Sequence, residues 1–476
     1  MKYTIPCLFG LEALVADELR RLDLKNVRAE NGRVHCDGGP ADIPRLNINL
    51  RCGARVLVEL ASFPAPDFEA LFQGVAAIPW EDCIPRDGEF PVKGYSISSQ
   101  LHSVPACQAI VKKAAAKRLG QAYGCETLPE TGDRYQIQFA LIKDTAAVYL
   151  DTSGDGLYKR GYRAHNNGAP LRETLAAALV LLSRYRGRDP FCDPFCGSGT
   201  IPIEAALIAK NRAPGLDRRF AAQKWQSLPA KLWLDAAEEA MDQEFHGQYD
   251  IWGGDIDPSA VELSRHNAEL AGVDDCVRFE VADAGKFHRD SDYGQLVTNP
   301  PYGERLLEKR EAEALYRSFG KAARTLPAGW RVLVLSSHTE FERAFGRSAE
   351  KKRKLYNGML KCDAFFYHGG AKTEPDKGLK RPGEIAADSP HLSSLHSYLI
   401  FRQWGACHAP CHFLINPPCR EAGPDCPHPR PGGPSGRGPQ SGLPVPADGP
   451  PRRSGGPLPR LGRGPGSRCA SMSAEE

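Results

Sequence analysis

Asp193-Pro194-Phe195-Cys196-Gly197-Ser198-Gly199-Thr200 follows a short extended run, 188–193, and opens into Ile201-Pro202-Ile203-Glu204-Ala205-Ala206-Leu207, the start of a helix. Pro202 suits a first helical turn, where the N–H that proline lacks has no intrahelical acceptor. The glycines let a ligand approach the backbone, and the free N–H groups of the helix start attract a partly anionic group such as an amino-acid carboxylate. Strand, glycine turn and helix together form the repeating unit of a doubly wound α/β sheet. The turn alone leaves the ligand open.

The next strands narrow it. Residues 250–254 end in Asp255-Ile256-Asp257-Pro258, which puts the Asp255 carboxylate where ribose hydroxyls lie in a nucleoside-binding sheet. Its distance from the glycine turn far exceeds the roughly 20 residues of the dinucleotide fingerprint, and the glycines do not spell G-x-G-x-x-G, so NAD or FAD fits poorly. Residues 277–281 precede Asp283, which is placed to accept from an adenine amino group. Each aspartate alone reads equally well as a cap or turn residue. Three successive strand ends are harder to dismiss, and Asp193, Phe195, Gly197, Gly199, Thr200, Asp255 and Asp283 become the cofactor candidates.

The run 295–298 then leads into Asn299-Pro300-Pro301-Tyr302. An exocyclic amine on an aromatic base is a weak nucleophile because its lone pair is delocalised into the ring. The Asn299 side-chain oxygen and the Pro300 carbonyl can accept its two N–H bonds and aim the lone pair at a methyl donor, and Tyr302 can stack on the extruded base. A sulfonium donor carries its own leaving group, so this chemistry needs positioning and no metal. The motif does not name the base: guanine N2, adenine N6 and cytosine N4 all remain open.

Upstream, residues 1–155 alternate short strand-like runs (2–7, 33–36, 56–60, 95–98, 135–141 and 147–151) with helices, including Leu11, Leu14, Val15, Leu19 and Leu22 at helical spacing. This predicts small α+β units. The helix near 105–122 gathers Lys112, Lys113, Lys117 and Arg118, with Ala109, Ala114 and Ala115 available to a core; an isolated charge run of this kind is usually a solvated face. Across 476 residues the formal net charge is only +3, so global charge does not select a partner. No apolar run approaches the roughly 20 residues of a membrane span and no export signal opens the chain, so a cytoplasmic protein with reduced cysteines is expected. From 372 to 476 Pro, Gly, Arg and Ser dominate, which predicts a low-complexity, disordered tail of the composition that GC-rich DNA read out of frame produces. The Cys407, His408, Cys411 and His412 cluster in that tail reads as accidental, and no metal site is expected.

These motifs resemble class I methyltransferases, and residues 1–370 resemble the THUMP-domain RNA guanine-N2 methyltransferases, the large-subunit (23S) rRNA enzymes in particular. The resemblance is carried by Asn299-Pro300-Pro301-Tyr302, by Asp151-Thr152-Ser153-Gly154 through Lys159-Arg160-Gly161-Tyr162-Arg163, and by Ala169-Pro170-Leu171-Arg172-Glu173-Thr174-Leu175-Ala176. It implies a ferredoxin-like unit over 1–60, a THUMP RNA-binding domain over 61–155 and a Rossmann-like methyltransferase domain over 161–370, with S-adenosyl-L-methionine (SAM) as cofactor. It also implies structured RNA as partner, phosphate contacts from Lys112, Lys113, Lys117 and Arg118, and Arg172, Glu173 and Thr174 near the methionine end of SAM. In the insertion after the glycine turn, Arg218, Arg219, Phe220, Lys224 and Trp225 read equally as RNA contacts or as packing. A tRNA guanine-N2 enzyme, a DNA amino-methyltransferase and a non-catalytic RNA assembly factor are the competing readings.

Overall fold

A computed structural model describes residues 1–163, 171–302 and 309–369; the tail, with its cysteine and histidine cluster, lies outside them. The first sheet contains β1 (Lys2–Pro6), β2 (Lys25–Glu30), β3 (Arg33–Asp37), β4 (Leu57–Pro64), β5 (Val92–Ile97), β6 (Ile137–Ile142) and β7 (Thr145–Asp151), in the order β2-β3-β1-β4-β7-β6-β5. Only β5 and β6 pair in parallel. β4 pairs with β1 on one side and β7 on the other, so a single sheet runs through position 60. Alternation sends Tyr3, Ile5, Val34 and Cys36 into the core shared with α1 (Glu12–Arg21), α2 (Asp42–Asn49), α3 (Phe68–Ala76) and α4 (Val104–Tyr123).

The second sheet contains β8 (Phe191–Asp193), β9 (Ile251–Asp255), β10 (Val277–Val281), β11 (Tyr293–Thr298), β12 (Gly329–Ser336), β13 (Lys351–Asn357) and β14 (Leu360–His368), ordered β10-β9-β8-β11-β12-β14-β13. The first five of these are parallel, and β14 runs antiparallel to both neighbours. Its helices are α5 (Glu173–Leu182), α6 (Thr200–Ala209), α7 (Ala230–Asp242), α8 (Pro258–Leu270), α9 (Lys309–Arg324) and α10 (Phe341–Phe345).

Neighbouring residues of each buried strand feed different cores. Phe191, Ile251, Val297, Leu333 and Leu335 join the cluster that holds α5, α6 and α8, whereas Cys192, Trp252, Leu296, Val332 and Val334 join the one that holds α9 and α10. Helices therefore cover both faces, which makes this a doubly wound α/β sheet. The chain order reverses between β8 and β11, the topological switch point at whose strand ends such sheets place their ligands.

The two sheets are joined by a continuous core. Gly215 packs so closely on α2 that a Cβ there would sit 2.7 Å from the Ile48 Cα, and Arg45 pairs with Glu239 of α7 at 3.0 Å. Phe220 and Trp225 are buried, stacked on Trp233 and Tyr135 at 5.3 and 5.0 Å, and the Trp225 indole donates to the Arg134 carbonyl at 3.0 Å. Of the two readings of this insertion, packing is the one these aromatics follow.

Candidate functional site

The glycine turn is held from three sides. Gly197 and Gly199 have φ of +55° and +79°, the left-handed region that glycine enters at little cost. A Cβ at Gly199 would meet the Ser264 Cβ at 3.0 Å, whereas one at Gly197 would meet nothing within 4 Å, so the turn is packed beneath and open above. From α8, the Ser264 hydroxyl donates to the Gly197 carbonyl at 2.7 Å and the Asn267 amide to the Ser198 carbonyl at 2.9 Å. Neither residue was singled out in the sequence; the clue was their i, i+3 spacing on the helix that follows Asp255.

Asp255 ends β9, and its carboxylate accepts from the Gly197 N–H at 2.9 Å and the Asp257 N–H at 3.0 Å, leaving further lone pairs on both oxygens. Asp193 ends β8 fully buried and accepts from the Phe195 N–H at 3.1 Å and the Thr298 hydroxyl at 2.6 Å. The second bond ties the end of β11, and so Asn299, to the glycine turn. Burial pushes the Asp193 carboxyl up to about 7, with the Thr298 bond opposing the rise.

That shift carries a stability consequence. Because the folded carboxyl holds its proton above the ordinary value near 4, Asp193 costs least below pH 4 and progressively more as pH rises through 7. Asp193→Asn cannot ionise, so its denaturation midpoint should gain on that of the wild type between pH 5 and 8. A difference that does not vary over this range would contradict the burial argument.

Asp283 is less enclosed. It caps the short 3-10 turn Ala284–Lys286 by accepting from the Gly285 N–H at 2.8 Å and is exposed at the sheet's edge. Phe195 is half-buried, edge-on to Phe319 at 5.1 Å. The Thr200 hydroxyl at the start of α6 accepts from Arg163 at 2.6 Å, and Arg163 also donates to the Leu171 carbonyl at 3.1 Å and pairs with Glu173 at 3.5 Å. Glu173 and Thr174 are buried, and the second Glu173 oxygen, Oε2, has no hydrogen-bond partner among the described residues. Arg172 is exposed, over the Tyr158 ring at 5.0 Å.

At the end of β11, Pro300 is buried and Asn299 half-buried. Tyr302, three residues further on, is half-buried. Its hydroxyl donates to Asn299 Oδ1 and lies 3.9 Å from Cys362 Sγ, so this conformation engages the ring's polar end with the motif itself. Burial raises its pKa well above the ordinary value, with Cys362 adding to the effect.

The basic quartet of α4 also divides. Lys112 donates to Glu130 at 2.5 Å and to the Phe90 carbonyl at 3.1 Å, and Arg118 pairs in bidentate fashion with Glu81. Both are ion-paired within their own domain. Lys113 and Lys117 are exposed. Ala114 and Ala115 face the core as expected, but Ala109 is exposed. Among the described residues no cluster suits a metal, the cysteines are free, and no helix is long and apolar enough to cross a membrane.

Residues 160–365 match the model of the RMKL-like methyltransferase domain, 2–57 that of the RlmL ferredoxin-like domain and 65–151 that of the THUMP domain. The Bacillus subtilis protein named "Putative RNA methyltransferase YpsC" is 44% identical over 381 residues, covering 79% of this chain and 98% of that protein. The chain belongs to the RMKL-like methyltransferase family. Another RMKL-like relative, the ribosomal RNA large subunit methyltransferase K/L of Syntrophotalea carbinolica, is 36% identical over 74% of this chain; the chain spans 51% of that protein's length. The crystal structure of SMU.472 complexed with SAH superimposes with a TM-score of 0.73 at 41% identity, covering 78% of this chain and 98% of that one.

Proposed function

We propose that this RMKL-like chain transfers a methyl group from SAM to the exocyclic N2 of a guanosine in large-subunit (23S) ribosomal RNA, acting in the cytoplasm. The observation that carries the reading is the Thr298–Asp193 bond, which sets the Asn299-Pro300 strand end beside the open face of the glycine turn at the switch point. The THUMP match and the names of the RNA and rRNA methyltransferase relatives support RNA as the substrate class.

The residues fit SAM. The start of α6 at Gly199 and Thr200, with the open side of Gly197, offers N–H donors to the methionine carboxylate. Asp193 and the unpartnered Glu173 Oε2 suit its ammonium, with Thr174 in the first turn of α5 and Arg172 at its N-cap as further contacts near the methionine end. Asp255 takes the ribose hydroxyls, Asp283 the adenine amine, and Phe195 packs against the cofactor. When bound, SAM supplies a methyl on a positively charged sulfur. The chain then has to orient the amine: Asn299 Oδ1 and the Pro300 carbonyl accept its two N–H bonds, with the amine displacing the Tyr302 hydroxyl from Asn299. The freed Tyr302 ring is then available to stack on the base. Lys113 and Lys117 contact RNA phosphates, giving affinity without sequence reading.

Nucleoside mass spectrometry of large-subunit rRNA, small-subunit rRNA and tRNA, from cells with and without the gene, tests this. Loss of N2-methylguanosine from large-subunit rRNA alone is the expected outcome. Loss only from tRNA would reassign the substrate, and no change in any RNA would favour a non-catalytic assembly factor.

A further inference from the structure

The β13–β14 hairpin concentrates Lys351, Lys352, Arg353, Lys354 and Lys361, and its two-residue turn, Gly358-Met359, holds a methionine that is 99% exposed. A side chain that packs on nothing adds nothing to the fold, and a lone apolar tip ringed by cations calls for a function outside it. Three of the cations are occupied: Lys352 pairs with Glu342 at 2.6 Å, Arg353 donates to the Gly10 carbonyl, and Lys351 lies 6.0 Å from the centre of the Phe366 ring. Lys354 and Lys361 are exposed and have no ion-pair partner among the described residues.

The hairpin's position matters as much as its charge. Cys362 Sγ on the return strand is 3.9 Å from the Tyr302 hydroxyl. Met359 at the tip is therefore three residues from Cys362, which lies against the proposed target-base pocket. Behind it, Phe9 of the N-terminal region, 56% exposed, packs edge-on against Tyr356 at 6.3 Å and extends the apolar ridge.

We infer that this hairpin tip is an RNA-opening wedge, with Met359 entering the base stack beside the target nucleotide and Lys354 and Lys361 holding flanking phosphates. The inference rests on the RNA-methylation reading above. A base inside a helix has to leave its stack before its amine can reach Asn299, and apolar side chains inserted between base steps are a known way to pay that unstacking cost. The two unpaired lysines favour a polyanion over a protein partner.

The test uses the full chain in excess over unmodified, refolded 23S rRNA transcript, reading single-turnover transfer of tritiated methyl from SAM. Met359→Ala should slow transfer about tenfold, while Met359→Leu, which restores apolar volume, stays within about twofold of wild type. SAM affinity, measured by calorimetry, should be unchanged in both, and the alanine deficit should shrink on the same transcript cut into short single-stranded fragments. An unchanged rate for Met359→Ala, or an equal deficit on folded and fragmented RNA, overturns the wedge and leaves the methylation reading standing. A wild-type chain that binds SAM but methylates no RNA overturns that reading and the wedge with it.

Discussion

Asn299→Ala should lower the rate of methyl transfer by about a thousandfold while leaving SAM affinity within about twofold of wild type. The separation follows from where the side chain sits. Asp193, Asp255 and the glycine turn are bonded to one another and to α8 without using the Asn299 side chain, so the cofactor pocket survives its removal. The Asn299 oxygen accepts instead from the Tyr302 hydroxyl, whose place an incoming amine would take. Removing that acceptor leaves the Pro300 carbonyl to hold one N–H of a conjugated amine, and the lone pair loses its alignment. Single-turnover transfer with tritiated SAM gives the rate and calorimetry the affinity. A comparable fall in SAM binding would move Asn299 from the target-base side of the pocket to the cofactor side. Tyr302→Phe is the control, since it removes the competing donor and keeps the amide.

The strand ends that carry the candidate residues are legible in the sequence. Each aspartate and Asn299 stands at or just after the end of a strand, and a parallel sheet sends all such ends to one edge, so order along the chain translates into adjacency in space. Strand β10 was delimited correctly at 277–281 because Val277, Phe279 and Val281 alternate with charged residues. Strand β2 was not recognised: Lys25–Glu30 is almost wholly exposed at the sheet's edge, so no burial pattern constrains its sequence. Side-chain commitments were the harder problem. Nothing local says that Lys112 and Arg118 are neutralised by Glu130 and Glu81, 18 and 37 residues away, or that Tyr302 turns its hydroxyl onto its own motif. Those pairings depend on tertiary placement, and a helical charge run looks the same whether its partners are phosphates or carboxylates.

Glu204→Ala should destabilise the protein by about 3–5 kcal/mol, the largest stability effect expected of a single polar substitution here. Glu204 lies in α6, fully buried, and its Oε1 accepts from Arg160 Nε at 3.3 Å and the Tyr162 hydroxyl at 3.2 Å. Arg160, 3% exposed, also donates to the carbonyls of Leu50, Arg51 and Leu157, so one guanidinium fastens the N-terminal region to the helix that follows the glycine turn. Truncating Glu204 leaves that cation enclosed without its counter-charge and leaves the Tyr162 hydroxyl without its acceptor. The intact pair is itself imperfect, because Glu204 Oε2 has no hydrogen-bond partner among the described residues, so its net contribution is smaller than the cost of breaking it. The double variant Glu204→Leu with Arg160→Met should therefore recover part of the loss, held back by the backbone carbonyls that Arg160 no longer satisfies. Urea denaturation of the three proteins distinguishes the cases. A Glu204→Ala cost below about 1 kcal/mol would mean that water reaches Arg160 and that the junction is softer than its burial indicates.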